Sequence, residues 1–447
     1  MSTKELTYGN PFKLIVAFMI PIFLGNLIQQ LYHFADALIV GRVLGIETLA
    51  AVGSTGPFIF LIISFIFAST QGFSVVTAQR FGAQDYEMVR KSLAASLILS
   101  GLLTLVLTAL CLPLTESMLV WLRTPDNILQ PAVNYLFIMF AGIFATVFYN
   151  VSSNIIRALG DSKTPLYFLI FSAIVNIFMD LLMIIKFNLG VEGAAYATVI
   201  SQGISTVMCM SFMFWKFPIL RLKKEDWFVP KDFLLEHLRI GIPMGFQMSI
   251  LSIGIIALQF VLNSFGSIAI AAFTTAMRVD QMFTQSYLAL GATMAVYTAQ
   301  NYGANKMSRI RAGAKTSIAI AAILSVFAIV LISLYSKEMI MIFMSEINYE
   351  VIRLAQQYLH VLMVFFIFLG ILIIYRNILQ GMGQVWAPLA SGVAELIGRT
   401  VCAFVFGHYF GYLGLCTASP AAWVAAAIVL YVGYKISLMK HLKQIKN

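Results

Sequence analysis

The chain has 447 residues, 60% of them hydrophobic and 11% charged, with a formal net charge of +10. A soluble domain carries about a quarter charged residues to solvate its surface, so a soluble globular protein is excluded. Cys111, Cys209, Cys402 and Cys416 stand apart in apolar runs with no C-x-x-C pairing. They read as buried small hydrophobes, not as a metal site or a disulfide framework.

Met1–Asn10 is polar, and the apolar run after it has no small-residue cleavage pattern, so no removed leader is expected. Apolar segments long enough to span follow at 11–40, 48–76, 92–114, 130–156, 165–187, 193–215, 240–264, 268–298, 313–335, 353–375, 387–408 and 413–435. A bilayer core takes ~20 apolar residues of helix, whereas a spanning strand would be ~10 residues of strict alternation. The pattern therefore predicts an all-α integral membrane protein with twelve transmembrane helices.

Counted along alternate loops, 22 of the 29 Lys and Arg fall on one side, including Arg80, Arg90, Lys91, Lys306, Arg309 and Arg376. Positive loops stay cytoplasmic, so both termini are expected inside a cell (inner or plasma) membrane. The excess charge then needs no nucleic acid.

The stretch 217–239, with Lys223-Lys224-Glu225-Asp226, is the most polar interior segment and divides the chain nearly in half. The halves repeat. Thr77-Ala78-Gln79-Arg80-Phe81-Gly82-Ala83 matches Thr298-Ala299-Gln300-Asn301-Tyr302-Gly303-Ala304 at an offset of 221. Ile20-Pro21 matches Ile242-Pro243 at 222, and Asn154-Ile155-Ile156, Gly160 and Pro165-Leu166 match Asn377-Ile378-Leu379, Gly383 and Pro388-Leu389 at 223. The expected organisation is an N-lobe at 1–216, a cytoplasmic linker at 217–239 and a C-lobe at 240–447. Both lobes enter from the same side, as pseudo-symmetric six-helix bundles. Repeats of this kind occur in transporters that rock one bundle against the other.

An ionised side chain at the bilayer centre costs ~2.5–3.5 kcal/mol on insertion scales, so each one asks for a reason. Asp36 lies late in the first helix, just after Tyr32-His33, and Asp180 lies in the fifth with Asn176 one turn earlier on the same face. Thr198 in the sixth helix could add a hydroxyl. Converging, these four make an all-oxygen cluster, and the repeat puts Leu258 or its neighbour Ala257 opposite Asp36, Arg399 opposite Asn176 and Ala403 opposite Asp180. The acids thus belong to one half. Two carboxylates in a low-dielectric site cannot both ionise cheaply, so they would hold a proton, or Na⁺ on the same oxygens. The alternative is that these groups hydrogen-bond helices together. Glu395 and Arg399, at i and i+4, are expected to form an ion pair. Gln247, Arg278, Asp280 and Gln281 are further candidates to line a pathway, and Pro21 should kink the first helix. No His-Glu-x-x-His, Ser-His dyad or Gly-rich phosphate loop is legible, so an enzyme is not expected.

In the order and spacing of these features the chain resembles the multidrug and toxic compound extrusion (MATE) transporters of the MOP superfamily, in the DinF-like branch. The resemblance covers essentially the whole length: Pro21 and Asp36, the repeated Gln-x-x-Gly-Ala motif, Arg157-Ala158-Leu159-Gly160-Asp161-Ser162 and Asn176-x-x-x-Asp180. It implies two lobes around a central cavity, with Asp36, Asn176, Asp180 and Thr198 binding the coupling H⁺ or Na⁺, Tyr32 nearby and Pro21 at a bend. From the residues themselves, Gln247, Arg278, Asp280, Gln281, Glu395 and Arg399 are the candidates to line a substrate cavity. NorM-type members carry a glutamate where this chain has Leu251, and the tenth helix lacks an acid. The expected function is cation-coupled antiport that exports amphipathic, often cationic, organic compounds by alternating access. It would need no cofactor beyond the coupling ion, with a monomer expected and membrane lipid as its surroundings. A lipid-linked saccharide flippase, with Arg278 and Arg399 facing a pyrophosphate, is the alternative.

Overall fold

The computed structural model of the protein describes residues 5–344 and 347–446. Lys4, and the side chains of Lys440, Lys443 and Lys446, all part of the charge count, lie outside the described residues. Lipid offers backbone groups no hydrogen bonds, so a spanning segment must satisfy them within itself. Among the described residues every regular element is accordingly helical.

The first half consists of α1 (Pro11–Val43), α2 (Ile46–Gly82), α3 (Tyr86–Trp121), α4 (Asp126–Ala141), α5 (Ile143–Ala158), α6 (Lys163–Asp180) and α7 (Gly190–Lys216). The second consists of α8 (Lys231–Asn263), α9 (Gly266–Gly303), α10 (Met307–Met341), α11 (Tyr349–Val364), α12 (Phe366–Gly381), α13 (Trp386–Val401), α14 (Gly407–Cys416) and α15 (Ala418–Lys446). Among the described residues nine stretches are long and apolar enough to span alone. Two further pairs, α4 with α5 and α11 with α12, pass together but bend by 44° and 53°. The remaining long helix, α9, has 38 residues but carries Arg278 and Asp280. Counted this way there are six spans in each half.

The breaks repeat as faithfully as the sequence. The fourth span of each half bends, at Gly142 and at Phe365. The fifth passes into a π-helical turn in both copies, Leu181–Lys186 and Cys402–Phe406. The turns that end α2 and α9 also match: Gln84 and Asn305 both take left-handed backbone, at φ 60° and 55°. Polar side chains close the next helix starts. Asp85 Oδ1 accepts from Met88 N at 3.1 Å, and Asp161 Oδ1 accepts from Lys163 N and Thr164 N at 3.0 Å each. Such caps satisfy amides that a helix start leaves open.

The chain divides into two compact units, Ile20–Gly245 and Leu6–Met19 with Phe246 onward. The opening turns of α1 therefore group with the second unit, and the opening turns of α8 with the first. Within the first unit, α8 is fixed by Arg80 to Glu236 at 2.8 Å and by a fully buried chain in which Thr77 meets Ser92 and Ser92 meets His237, at 2.8 Å each. The His237 Nδ1–H donates to the Phe233 carbonyl at 2.8 Å. This is a Ser-His pair that spacing could not reveal, and its complete burial makes it a helix pin.

Candidate ion site in the first unit

Four helices build the cluster. α1 brings Tyr32 and Asp36 on one face, four residues apart; α6 ends on Asn176 and Asp180, also one turn apart; α7 brings Thr198. The side chains of Asn176, Asp180 and Thr198 are buried, and Tyr32 and Asp36 are half-buried. The fourth contributor, Tyr135 on α4, is buried within electrostatic reach of Asp36, Tyr32 and Asp180. Nothing in its sequence surroundings marks it, since an uncharged tyrosine in an apolar span reads as packing. Val40, Ile184, Val191, Ala194 and Ala195 close the apolar wall around it.

The Thr198 hydroxyl is the hub. Its oxygen accepts from the Tyr32 hydroxyl and from Asn176 Nδ2, at 3.4 Å each. Holding the Asn176 amide by its nitrogen leaves the amide oxygen free. Asn176 Oδ1, both oxygens of Asp180 and Asp36 Oδ1 are buried and accept no hydrogen bond. The carboxyls of Asp36 and Asp180 lie within electrostatic reach of each other. A buried acceptor without a donor is costly, and a positive charge would satisfy four at one place. Among the described residues no three His, Cys, Asp or Glu gather. The donor set is two carboxylates with neutral oxygens, which suits H⁺ or Na⁺. The π-helical turn follows directly on Asp180, and such turns are frequent at functional sites. α1 continues through Pro21, which is buried; His33 is exposed.

The candidates in the second unit do not converge in the same way. Gln247 is buried and committed: its Nε2 donates to the Pro388 carbonyl at 2.7 Å and its Oε1 accepts from Gln380 at 2.9 Å. Arg278 and Gln281 are exposed on α9, while half-buried Asp280 accepts from Thr284 at 3.3 Å. The ion pair expected between Glu395 and Arg399 is made instead with Arg376 of α12, a residue counted by charge as cytoplasmic and here buried. Arg376 comes in from a neighbouring helix with its guanidinium directed at Glu395. Arg399, on the same helix as Glu395, stays beyond contact.

The MatE family model matches twice, over residues 21–182 and 243–405, beginning at Pro21 and at its repeat partner Pro243. The chain belongs to the MatE family. It is similar to the probable multidrug resistance protein YpnP of Bacillus subtilis (strain 168), 29% identical over 99% of each chain. It is also similar to the multidrug export protein MepA of Staphylococcus haemolyticus, 22% identical over 98% of this chain and 97% of that one. Among solved structures, a MOP superfamily transporter from Pyrococcus furiosus is 27% identical over 99% of each chain, with a TM-score of 0.92. These MatE relatives are transporters, not enzymes, and the chain is a multi-pass membrane protein like them.

Proposed function

We propose that this chain is a multidrug efflux transporter that exports amphipathic, often cationic, organic compounds by alternating access, in exchange for H⁺ or Na⁺ entering at the first unit. The relatives named for multidrug resistance and export along nearly their whole length support the efflux reading. The observation that carries the coupling is the cluster of unpaired oxygens on Asp36, Asn176 and Asp180, present in one half of a repeated fold. Asn176 and both carboxylates would hold the ion, with Thr198, Tyr32 and Tyr135 setting their positions. Ion entry would neutralise the carboxylates, and a ligand can shift an equilibrium only by binding two states differently. The charge-neutral state is therefore the one that releases the compound outside. Both termini lie in the cytoplasm of a cell-membrane protein in this reading, following the distribution of Lys and Arg, and the monomer is the working unit.

The test uses sealed vesicles containing the purified protein and ethidium as the transported dye. Dye movement driven by an imposed pH gradient, by a Na⁺ gradient, or by both is expected. Dye movement at one rate whatever gradient is imposed would refute coupling.

A further inference from the structure

The segment that joins the two halves is held in place more firmly than a connecting loop requires. After α7 the chain makes two short 3₁₀ turns, Pro218–Leu220 and Lys224–Trp227, before α8 begins at Lys231. Phe217 and Leu220 are buried in the apolar cluster that includes Phe81, Val89 and Met213. Asp226 is buried as well and anchors the second turn twice. Its Oδ2 accepts from Arg90 Nε at 3.1 Å and from Lys223 N at 2.8 Å.

What this anchoring leaves outside is basic and aromatic. Arg221, Lys223, Lys224 and Lys231 are exposed, and Arg221 lends only its Nε, to the Phe214 carbonyl at 3.5 Å. Several acids around them are already paired: Asp226 with Arg90, Glu236 with Arg80 and Glu87 with Lys91. Over 215–232 that leaves exposed Glu225 and Asp232 against the four cations. Trp215, Trp227 and Phe228 are 71%, 49% and 83% exposed. Trp227 and Phe228 lie beyond the spanning helices, where an aqueous surface gives such rings no reason to stay outside. Rings of this kind settle at the headgroup level of a bilayer, and Lys216, which lies over the Trp215 ring, covers apolar surface while its charge reaches outward. The segment also starts on spanning α7 and ends on spanning α8, so the bilayer is the surface beside it, whereas a soluble partner would have to be recruited.

We propose that 215–232 is a docking surface for the headgroups of anionic phospholipids in the leaflet where α7 ends. Arg221, Lys223 and Lys224 hold the lipid phosphate, and Trp227 and Phe228 enter the boundary with the acyl chains. Basic clusters just outside a spanning helix attract anionic lipid in this way. The inference stands apart from the ion-site reading, since none of these residues belongs to that site.

The test is native mass spectrometry of the purified full chain offered phosphatidylglycerol, which is anionic, or phosphatidylcholine, which is not. It is joined to hydrogen exchange of the same protein in phosphatidylcholine nanodiscs with and without phosphatidylglycerol. The unaltered chain is expected to prefer phosphatidylglycerol. Each basic residue near an anionic surface contributes about fivefold in affinity. Arg221→Gln with Lys223→Gln and Lys224→Gln should therefore weaken phosphatidylglycerol binding on the order of a hundredfold and leave phosphatidylcholine binding as it was. Lys337→Gln with Arg353→Gln removes two exposed cations of the opposite loops and should change neither. Phosphatidylglycerol should also slow amide exchange across 217–230 in the unaltered chain and not in the triple variant. Should the triple variant fail to fold, Lys223→Gln alone is expected to lose about fivefold. Equal affinity for the two lipids, which would leave the surface to a soluble partner, overturns the proposal. So does undiminished binding in the variants, or protection by phosphatidylglycerol confined to other segments.

Discussion

Gly72 of α2 and Gly241 of α8 show how much of this fold depends on side chains that are absent. A Cβ on Gly72 would stand 2.5 Å from Gly241 Cα, and one on Gly241 would stand 2.4 Å from the Phe73 ring and 2.8 Å from the Ser69 carbonyl. Small residues let spanning helices approach this closely because lipid supplies no hydrophobic drive between them. Gly241 and Gly245 are spaced one turn apart, a pattern visible in the sequence but hidden beside the louder Ile242-Pro243 repeat. Overpacking costs about 1–3 kcal/mol, so Gly241→Val should lower the thermal unfolding midpoint of the purified protein markedly. Gly101→Ala, where a Cβ would meet nothing within 4 Å, should leave it unchanged. Equal midpoints for the two variants would contradict the close approach. Asp36, Asn176, Asp180 and Thr198, singled out because carboxylates in apolar runs are conspicuous, do lie together. Tyr135, whose type is ordinary in a span, was missed. Glu395 was given the wrong partner, since i,i+4 spacing identifies a shared face and says nothing about a cation arriving from another helix.

At the scale of elements, the repeated Gln-x-x-Gly-Ala turn was legible as a repeat but not as a device. In the second unit it grips the segment before α1. Leu6 N donates to Gln300 Oε1 at 2.8 Å, Asn301 Nδ2 donates to the Leu6 carbonyl at 3.3 Å, and Lys306 lies over the Tyr8 ring. Arg309 donates to the carbonyls of Gly9 and Leu6 at 2.9 and 3.2 Å and to Asn301 Oδ1 at 3.0 Å. In the first unit the matching turn supplies Arg80, which holds Glu236 and lies over the Phe233 ring. One turn therefore holds the segment that leads into α1, and the other holds the opening turns of α8. Hydrogen bonds to charged groups contribute about 1.5–3 kcal/mol each, so losing even one of those made by Arg309 should open the segment about tenfold or more often. Arg309→Ala should accordingly speed limited proteolysis ahead of α1, and exposed Lys315→Ala should not. Equal rates would show that the clamp carries no weight. The helix breaks at Gly142 and Phe365 and the two π-helical turns were not legible. They follow from packing within each unit, and local propensity is too weak to announce them in uniformly apolar spans.

The whole molecule was the most readable level. Twelve spans and a two-fold repeat follow from apolar run lengths and three sequence matches, and the structure repeats even its irregularities at the same offsets. The least typical span is α9, whose Arg278 and Asp280 interrupt an otherwise apolar helix. What the repeat conserves is architecture, and what it varies is charge: Asp36 and Asp180 in one half correspond to Leu258 and Ala403 in the other. The central claim is that this asymmetry couples export to an ion. It is tested most directly by efflux of ethidium from vesicles bearing Asp36→Asn or Asp180→Asn, with expression and folding matched to the unaltered chain. Each substitution keeps the side chain's size and removes the charge that an ion would neutralise. The account predicts that either variant falls to the rate of vesicles without the protein, and gradient-driven efflux preserved in both would contradict it.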